Sequence, residues 1–130
     1  MTKVTMICDN CLVVGFKMEG HAGYNVNGPD IVCAALSATS QMTVNGVLDC
    51  TGLDISGDAG EFADEFIKAN DPQKGLLWVE LGVDFIEEIK GTVMLAQLHC
   101  LFKAFELYIE LLVEQYPQFI CLERRQRDDK

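Results

Sequence analysis

One histidine and one cysteine in this chain are spaced and flanked in a way that could support nucleophilic chemistry. His21 follows Gly20, and Cys33 comes twelve residues later, after Asp30. A cysteine thiolate attacks carbonyl carbon, and a neighbouring imidazole keeps the sulfur anionic and then protonates the leaving amine. The two residues are therefore candidates for a Cys–His active site.

A helix is expected to present the cysteine. Asp30 is a good N-cap, and the pattern predicts a helix from Ile31 to about Leu48. Cys33 would then lie in the first turn, where unpaired N–H groups and the helix dipole stabilise a thiolate. The backbone N–H groups of Cys33 and Ala34 are candidate oxyanion donors. Ser37, one turn further along the same face, is expected to line the cleft.

A loop rich in glycine and asparagine connects the two reactive residues over positions 22–29. Gly23 and Gly28 permit backbone conformations that other residues resist. Pro29 stiffens the side of this loop next to the helix. Asp30 has two open roles, as a helix cap alone or as a cap that also orients His21. The sequence names no third orienting residue.

The remaining elements predict an α+β fold. Alternating side chains indicate a hairpin from residues 2–8 and from Leu12 onward, and a turn at Asp9–Asn10 joins its strands. Residues 53–55 alternate like a strand, and 61–69 fit either a short helix or a strand extension. A turn at 70–75, a strand at 76–81, a helix at 83–116 that can break near Gly91, and a last strand at 119–122 follow. This predicts a small antiparallel sheet that begins with a hairpin and packs with two main helices. We expect one domain over 1–122 and a charged, mobile tail over 123–130.

The long helix has two distinguishable faces. Polar residues at three- and four-residue steps predict its exposed face: Lys103, Glu106, Glu110 and Glu114. Apolar residues at the complementary steps predict its buried face: Leu101, Phe105, Tyr108 and Leu112.

Charge and length exclude several classes of function. The chain has 130 residues, enough for one domain with its own core, and a net charge of −10. An acidic surface repels phosphates, so direct binding of nucleic acid is disfavoured. The charge suits a basic partner, although ordinary solubility accounts for it equally well. The charge-free run at 91–102 is too short to cross a membrane, and residues 1–5 do not resemble a signal peptide. We therefore expect a cytoplasmic protein without a membrane segment.

The other cysteines and the second histidine do not predict a metal site or a cofactor. The six cysteines are expected to be free thiols in a reducing compartment. Cys8 and Cys11 form a C-x-x-C pair, but no second pair follows at ligand spacing. His99 and Cys100 lie within the predicted long helix. No glycine-rich phosphate loop is present, so we expect no metal and no cofactor.

The region around the two reactive residues resembles the ribosomal-processing cysteine protease family, Prp. The resemblance is carried by Gly-His-Ala-Gly-Tyr at 20–24, by Gly28, by Asp-Ile-Val-Cys-Ala-Ala at 30–35, and by Ser37 with Ala38. It is strongest over residues 20–40 and looser over the rest of the chain. The resemblance implies that His21 and Cys33 are the catalytic pair and that residues 22–29 form the family's mobile loop. Gly23 and Gly28 would allow this loop to move and so to gate the entry of substrate. Pro29, directly before the Asp, departs from the family pattern.

The resemblance also implies a specific biological role. Members of the family are cytoplasmic, homodimeric α+β endopeptidases. They remove a short, hydrophobic N-terminal extension from the twenty-seventh protein of the bacterial large ribosomal subunit. Three alternatives remain open: a non-catalytic protein of the same fold that binds a ribosomal or other basic partner, a Prp-like protease with a different substrate, and another Cys–His activity such as acyl transfer.

Overall fold

The structure, a computed structural model, describes residues 1–20, 29–51, 63 and 65–127, with the backbone only at 29 and 30. Five strands form one sheet: β1 (Thr2–Asp9), β2 (Leu12–Glu19), β3 (Ile67–Asp71), β4 (Leu76–Glu80) and β5 (Ile120–Gln126). Among the elements whose bounds the described residues give, three α-helices accompany them: α1 (Pro29–Thr51), α2 (Val83–Ile89) and α3 (Val93–Gln115). The predicted α+β class and the two main helices, α1 and α3, are confirmed.

The strands lie in the order β3-β4-β2-β1-β5. The chain opens with the predicted β1–β2 hairpin, whose turn contains Asn10 at a φ of 57°. All neighbouring strands are antiparallel except β5, which pairs parallel with β1. The predicted antiparallel sheet that begins with a hairpin is confirmed for the described strands, apart from the parallel β1–β5 pair at this edge. α2 and α3 together make the long connection that a chain needs to return in a parallel direction.

Aromatic packing joins the sheet to the helices. The ring of Phe16 in β2 stacks on that of Phe105 in α3, with 4.2 Å between centroids, and meets Phe102 edge to face at 6.3 Å. All three side chains are buried. Such pairs contribute about 0.5–1.5 kcal/mol beyond the burial of their area. They hold α3 on the same sheet face that β1 lines with Val4 and Met6.

Helix α1 is longer than predicted because it packs closely on α3. It continues through Asn45 and Gly46 to Thr51 instead of ending near Leu48. A Cβ atom at Gly46 would lie 3.2 Å from Cδ2 of Leu101, so the glycine lets the two helices approach. Tertiary packing therefore outweighs the low helix propensity of this glycine.

By length and hydropathy alone, residues Ile31–Thr51 of α1 could cross a membrane. A core helix of a folded domain meets the same criterion. The core-facing residues of α1 include Val32, Leu36, Val44 and Val47, each less than a tenth exposed. These residues of α1 belong to the hydrophobic core, whereas Ile31 and Met42 of the same helix are exposed.

The predicted domain boundary at residue 122 is wrong, because β5 extends to Gln126. Beyond it, the Arg127 guanidinium forms ion pairs with Asp9 at 2.7 Å and Glu80 at 3.2 Å, and its side chain is only 7% exposed. The charged composition of this segment fits an edge strand with an exposed face as well as it fits a tail. Residues 128–130 lie outside the described part of the chain.

The predicted faces of the long helix are wrong at two positions. Glu106 is 1% exposed instead of facing water, and Tyr108 is 38% exposed. The Glu106 carboxylate forms ion pairs with Lys103 Nζ at 2.6 Å and with Arg124 Nε of β5 at 2.7 Å. Burial opposes ionisation of this carboxyl, but the two hydrogen bonds and positive charges outweigh it and lower the pKa of Glu106.

The middle of the chain follows the predictions where it is described. In the ambiguous stretch 61–69, the described residues 63, 65 and 66 are helical and residue 67 begins strand β3, so each predicted alternative holds for part of the stretch. Residues 53–55 lie outside the described residues. The strand predicted at 76–81 is β4. The helix predicted at 83–116 breaks as expected, with Gly91 at a φ of 79° between α2 and α3.

Candidate active site

A cavity of about 370 Å³ lies between α1 and the end of the sheet where β1 begins and β2 ends. Its described lining comes from α1, from both strands of the first hairpin, and from the β3–β4 hairpin. The lining residues are Thr2, Met18, Gly20, Cys33, Leu36, Ser37, Ser40, Gln41, Asn70, Pro72, Gly75, Leu76 and Leu77. Of these described residues, none carries a charged side chain.

Helix α1 presents three polar side chains to the cavity. Cys33, Ser37 and Ser40 are spaced at i, i+4 and i+7, which places them on one helical face. Cys33 is half-buried and Ser37 is exposed, whereas Ser40 is 3% exposed. The structure therefore brings Ser37 to the same cavity as Cys33. Sequence reasoning missed Ser40, although its i+7 spacing from Cys33 was a usable signal.

The helix begins at Pro29, so the prediction that Asp30 is its N-cap is wrong. Proline favours the first helical position because its φ is already helical and it has no N–H to leave unpaired. Cys33 becomes the fifth helical residue, at the start of the second turn. α-Helical pairing gives the N–H groups of Cys33 and Ala34 the carbonyls of Pro29 and Asp30 as partners. Their role as oxyanion donors stays a prediction. It would require one of these N–H groups to donate to the oxyanion as well as to its helical carbonyl.

Gly20 connects the cavity to the histidine. It follows β2 with a φ of 87°, and a Cβ atom there would lie 2.7 Å from the carbonyl oxygen of Met1. Both facts require glycine at this point. Gly20 lines the cavity together with Cys33, and His21 is the next residue in the chain.

Several predicted site residues lie outside the described part of the structure. These are His21, Gly23 and Gly28, and the same holds for the side chain of Asp30. The loop over 22–28 lies there as well. The proposed roles of these residues as base, gate or orienting group stay predictions.

The tip of the β3–β4 hairpin forms the wall opposite α1. Asp71 Oδ1 accepts a hydrogen bond from the Lys74 N–H at 3.3 Å, and the Gly75 N–H donates to the Pro72 carbonyl at 3.2 Å. Proline and these two bonds hold a short 3₁₀ turn between the strands. A turn at 70–75 was predicted, but only the tertiary structure shows that Asn70, Pro72 and Gly75 line the cavity.

The remaining cysteines and His99 lie apart from the cavity and have other environments. All six cysteines are free thiols. Burial and the Glu106 carboxylate raise the pKa of the Cys8 thiol. His99 Nδ1 accepts the Val13 N–H at 3.1 Å, beside the irregular register between β1 and β2. Among the described residues, no group of three or more His, Cys, Asp or Glu side chains is arranged to hold a metal ion.

Comparison with known proteins identifies the family. The family model described as cysteine protease Prp matches residues 1–121. A ribosomal processing cysteine protease Prp of Bacillus subtilis (strain 168) is 36% identical over 85 residues, which cover 60% of this chain and 76% of the relative.

Solved structures share the fold. SMU.848 from Streptococcus mutans is 26% identical with a TM-score of 0.67, and the match covers 98% of this chain and 96% of that one. An essential ribosomal processing protease Prp from S. aureus, solved with a substrate peptide, is 23% identical with a TM-score of 0.67. That match covers 96% of this chain and 100% of the S. aureus chain, and at this identity it supports the fold alone.

The family match spans nearly the whole described sheet and both main helices, and it includes the half-buried cysteine of the cavity. The chain belongs to the cysteine protease Prp family and is a cysteine protease.

Proposed function

We propose that the protein is an endopeptidase in which Cys33 is the nucleophile and His21 is its acid–base partner. One observation carries this proposal: Cys33 and Gly20, the residue bonded to His21, line the same cavity. Consecutive Cα atoms are about 3.8 Å apart, so the covalent chain keeps the histidine within one residue of the cavity wall. Of the six cysteines, Cys33 alone lines this cavity in the described structure.

The chemistry follows from these two groups. The Cys33 thiolate attacks the carbonyl carbon of the scissile peptide bond, and an S–C bond forms as the C–N bond breaks. His21 donates its proton to the leaving amine and then accepts a proton from the water that hydrolyses the thioester. The products are two peptides, and the cysteine is regenerated. Neither step needs a cofactor.

We propose as substrate the twenty-seventh large-subunit ribosomal protein, whose short hydrophobic N-terminal extension would be removed during ribosome maturation. The net charge of −10 attracts a basic protein and repels nucleic acid. The described part of the cavity lining carries no charged side chain, which suits a segment of the substrate without charges. Names of relatives that refer to ribosomal processing agree with this choice. A cytoplasmic location, a homodimer, and action without nucleic acid or membrane are parts of the same proposal.

Mass spectrometry of the ribosomal protein's N-terminus tests the substrate. Wild-type protein under reducing conditions is expected to shorten the N-terminus, and Cys33→Ala is expected to leave it intact. Cys50→Ala is the matched control, because Cys50 is also half-buried on α1 but does not line this cavity. An intact N-terminus with wild-type protein would contradict the proposed substrate. Binding of the ribosomal protein without cleavage would instead favour the non-catalytic alternative.

A further inference from the structure

A cavity between the two main helices is lined by two of the free cysteines. It has a volume of about 440 Å³ and shares no described lining residue with the candidate active site. Its described lining comes from the end of α1 and the first half of α3: Cys50, Ala96, Gln97, Cys100 and Leu101. We call it the interhelical cavity. Two thiols from different helices thus line one small space.

The two helices approach closely beside the interhelical cavity. A Cβ atom at Gly46 would lie 3.2 Å from Cδ2 of Leu101. Cys50 follows Gly46 by about one helical turn, and Cys100 directly precedes Leu101. The axes of packed helices are about 8–10 Å apart and Cα atoms lie about 2.3 Å from each axis, so facing Cα atoms are separated by roughly 3–6 Å. A disulfide joins Cα atoms about 4.4–6.8 Å apart, so this close packing suits one.

The two thiols differ in exposure, which gives them an order of reaction. Cys100 is exposed and Cys50 is half-buried, and both are free thiols. An oxidant reaches the exposed thiol first, and a nearby thiol then resolves the sulfenic acid to a disulfide. The exposed Cys11 and the half-buried Cys121 lie in the hairpin turn and in β5, and neither lines the interhelical cavity. The cavity therefore distinguishes this pair of cysteines from others of equal exposure.

We propose that Cys50 and Cys100 are a redox-sensitive modification site, a thiol pair that closes to a disulfide and ties α1 to α3. The oxidant is hydrogen peroxide. The Cys100 thiolate attacks one peroxide oxygen, the O–O bond breaks, and Cys100 sulfenic acid and one water form. The Cys50 thiolate then attacks the sulfenic sulfur, and the S–S bond forms as a second water leaves. Two thiols lose two electrons and two protons to one peroxide, and a dithiol reductant reverses the reaction.

The bond joins the helix that carries Cys33 to the helix that carries Phe102 and Phe105 of the core. A cross-link between residues that are distant along the chain restricts the unfolded state and so stabilises the fold. In a reducing compartment such a bond is transient and forms only while the oxidant is present. The inference does not depend on the proposed catalytic pair.

Oxidation of the Cys33→Ala protein tests the thiol pair without interference from the candidate nucleophile. Dilute protein is treated with hydrogen peroxide, remaining thiols are blocked with iodoacetamide, and tryptic peptides are mapped without reduction. We expect the peptide containing Cys50 to be linked to the peptide containing Cys100 within one chain, and dithiothreitol to remove the link. The thermal unfolding midpoint is expected to rise by at least about 5 °C on oxidation and to return on reduction.

Matched controls separate this pair from general oxidation of thiols. Adding Cys50→Ala or Cys100→Ala is expected to abolish both the link and the rise in midpoint. Adding Cys121→Ala or Cys11→Ala, which match Cys50 and Cys100 in exposure, is expected to keep both. A Cys100 linked mainly to another cysteine or to a second chain, or a link that leaves the midpoint unchanged, would overturn the tie between the helices.

Discussion

The two ends of strand β1 are built from opposite chemistry. At its start, Thr2 lines a cavity whose described side chains are uncharged. At its end, Asp9 pairs with Arg127, which also pairs with Glu80. The Arg127 main-chain N–H donates to the Cys8 carbonyl at 2.7 Å, and Trp78 Nε1 donates to Glu80 Oε1 at 3.0 Å. At the charged end the charged groups pair with one another, whereas the described lining of the cavity at the uncharged end includes the half-buried Cys33 and the exposed Ser37.

This difference separates a structural cluster of charges from the candidate active site. Buried charges persist only when neighbouring protein groups compensate for them. In the Arg127 cluster, the guanidinium and the two carboxylates compensate for each other's charge. A substrate site needs groups whose hydrogen-bonding capacity is not already used. Perturbing the charged end should therefore reduce stability, and perturbing the uncharged end should reduce activity.

The largest expected effect is the loss of catalysis in Cys33→Ala. Without the nucleophile, peptide cleavage should fall by at least about a thousandfold. The far-ultraviolet circular dichroism spectrum and unfolding midpoint should change little, because Cys33 is only half-buried. Steady-state assays and thermal melts measure both properties. Residual cleavage within tenfold of wild type would show that another residue is the nucleophile.

The second prediction concerns the charged end. Arg127→Met leaves two largely buried carboxylates, Asp9 and Glu80, without their cation, and should lower the free energy of unfolding by about 3–5 kcal/mol. Cleavage per folded molecule should remain near the wild-type rate. Urea denaturation measures the loss. Arg125→Met is the control, since the neighbouring Arg125 side chain is exposed. Equal stability of the two variants would remove the contrast between the two ends of β1.

The third prediction concerns Glu106, whose pKa is lowered by Lys103 and Arg124 against the effect of burial. Glu106→Gln should cost about 1–3 kcal/mol at neutral pH. A carboxyl with a lowered native pKa stabilises the fold above its unfolded pKa and loses that contribution as pH falls through the native value. The stability difference between wild type and variant should therefore shrink below about pH 4.

Glu114→Gln is the control for this titration, because Glu114 is exposed on the same helix. Denaturation curves at several pH values measure both variants. A difference for Glu106→Gln that stays constant down to acidic pH would show that the effect is packing and not charge.

The smallest expected effect is on thiol reactivity. Cys33 should be alkylated about tenfold faster at neutral pH than the other cysteines, including the exposed Cys11 and Cys100. His21→Ala should slow this reaction. Cys8 should react slowly, since burial and Glu106 raise the pKa of its thiol. Peptide mapping after timed iodoacetamide treatment gives the rates. If Cys33 reacts no faster than Cys100, the thiolate hypothesis fails.

Local patterns predicted the elements well where each element depends on its own residues. The β1–β2 hairpin follows from alternation and a turn-forming Asn10, and the break between α2 and α3 follows from Gly91. Predictions failed where a distant partner decides the outcome. Glu106 has the spacing of an exposed residue, but Arg124 from β5 makes its burial tolerable.

The candidate site shows the same division. The types and spacing of His21 and Cys33 indicated the chemistry, and the i+4 spacing indicated that Ser37 shares a face with Cys33. The sequence did not indicate that Thr2, Ser40 and the β3–β4 tip would surround the same cavity. Those groups come from segments that are distant along the chain.

By itself, the sequence predicted the α+β class and most strand and helix positions, and it singled out Cys33 as the candidate nucleophile, because these depend on short-range spacing and side-chain type. Only the tertiary structure decided that α1 begins at Pro29, that β5 closes the sheet in a parallel direction, and that Arg127 belongs to the fold. It alone brought the start of β1, the end of β2 and α1 around Cys33. The reason is that burial and the pairing of charges depend on neighbours in space, which no local pattern specifies.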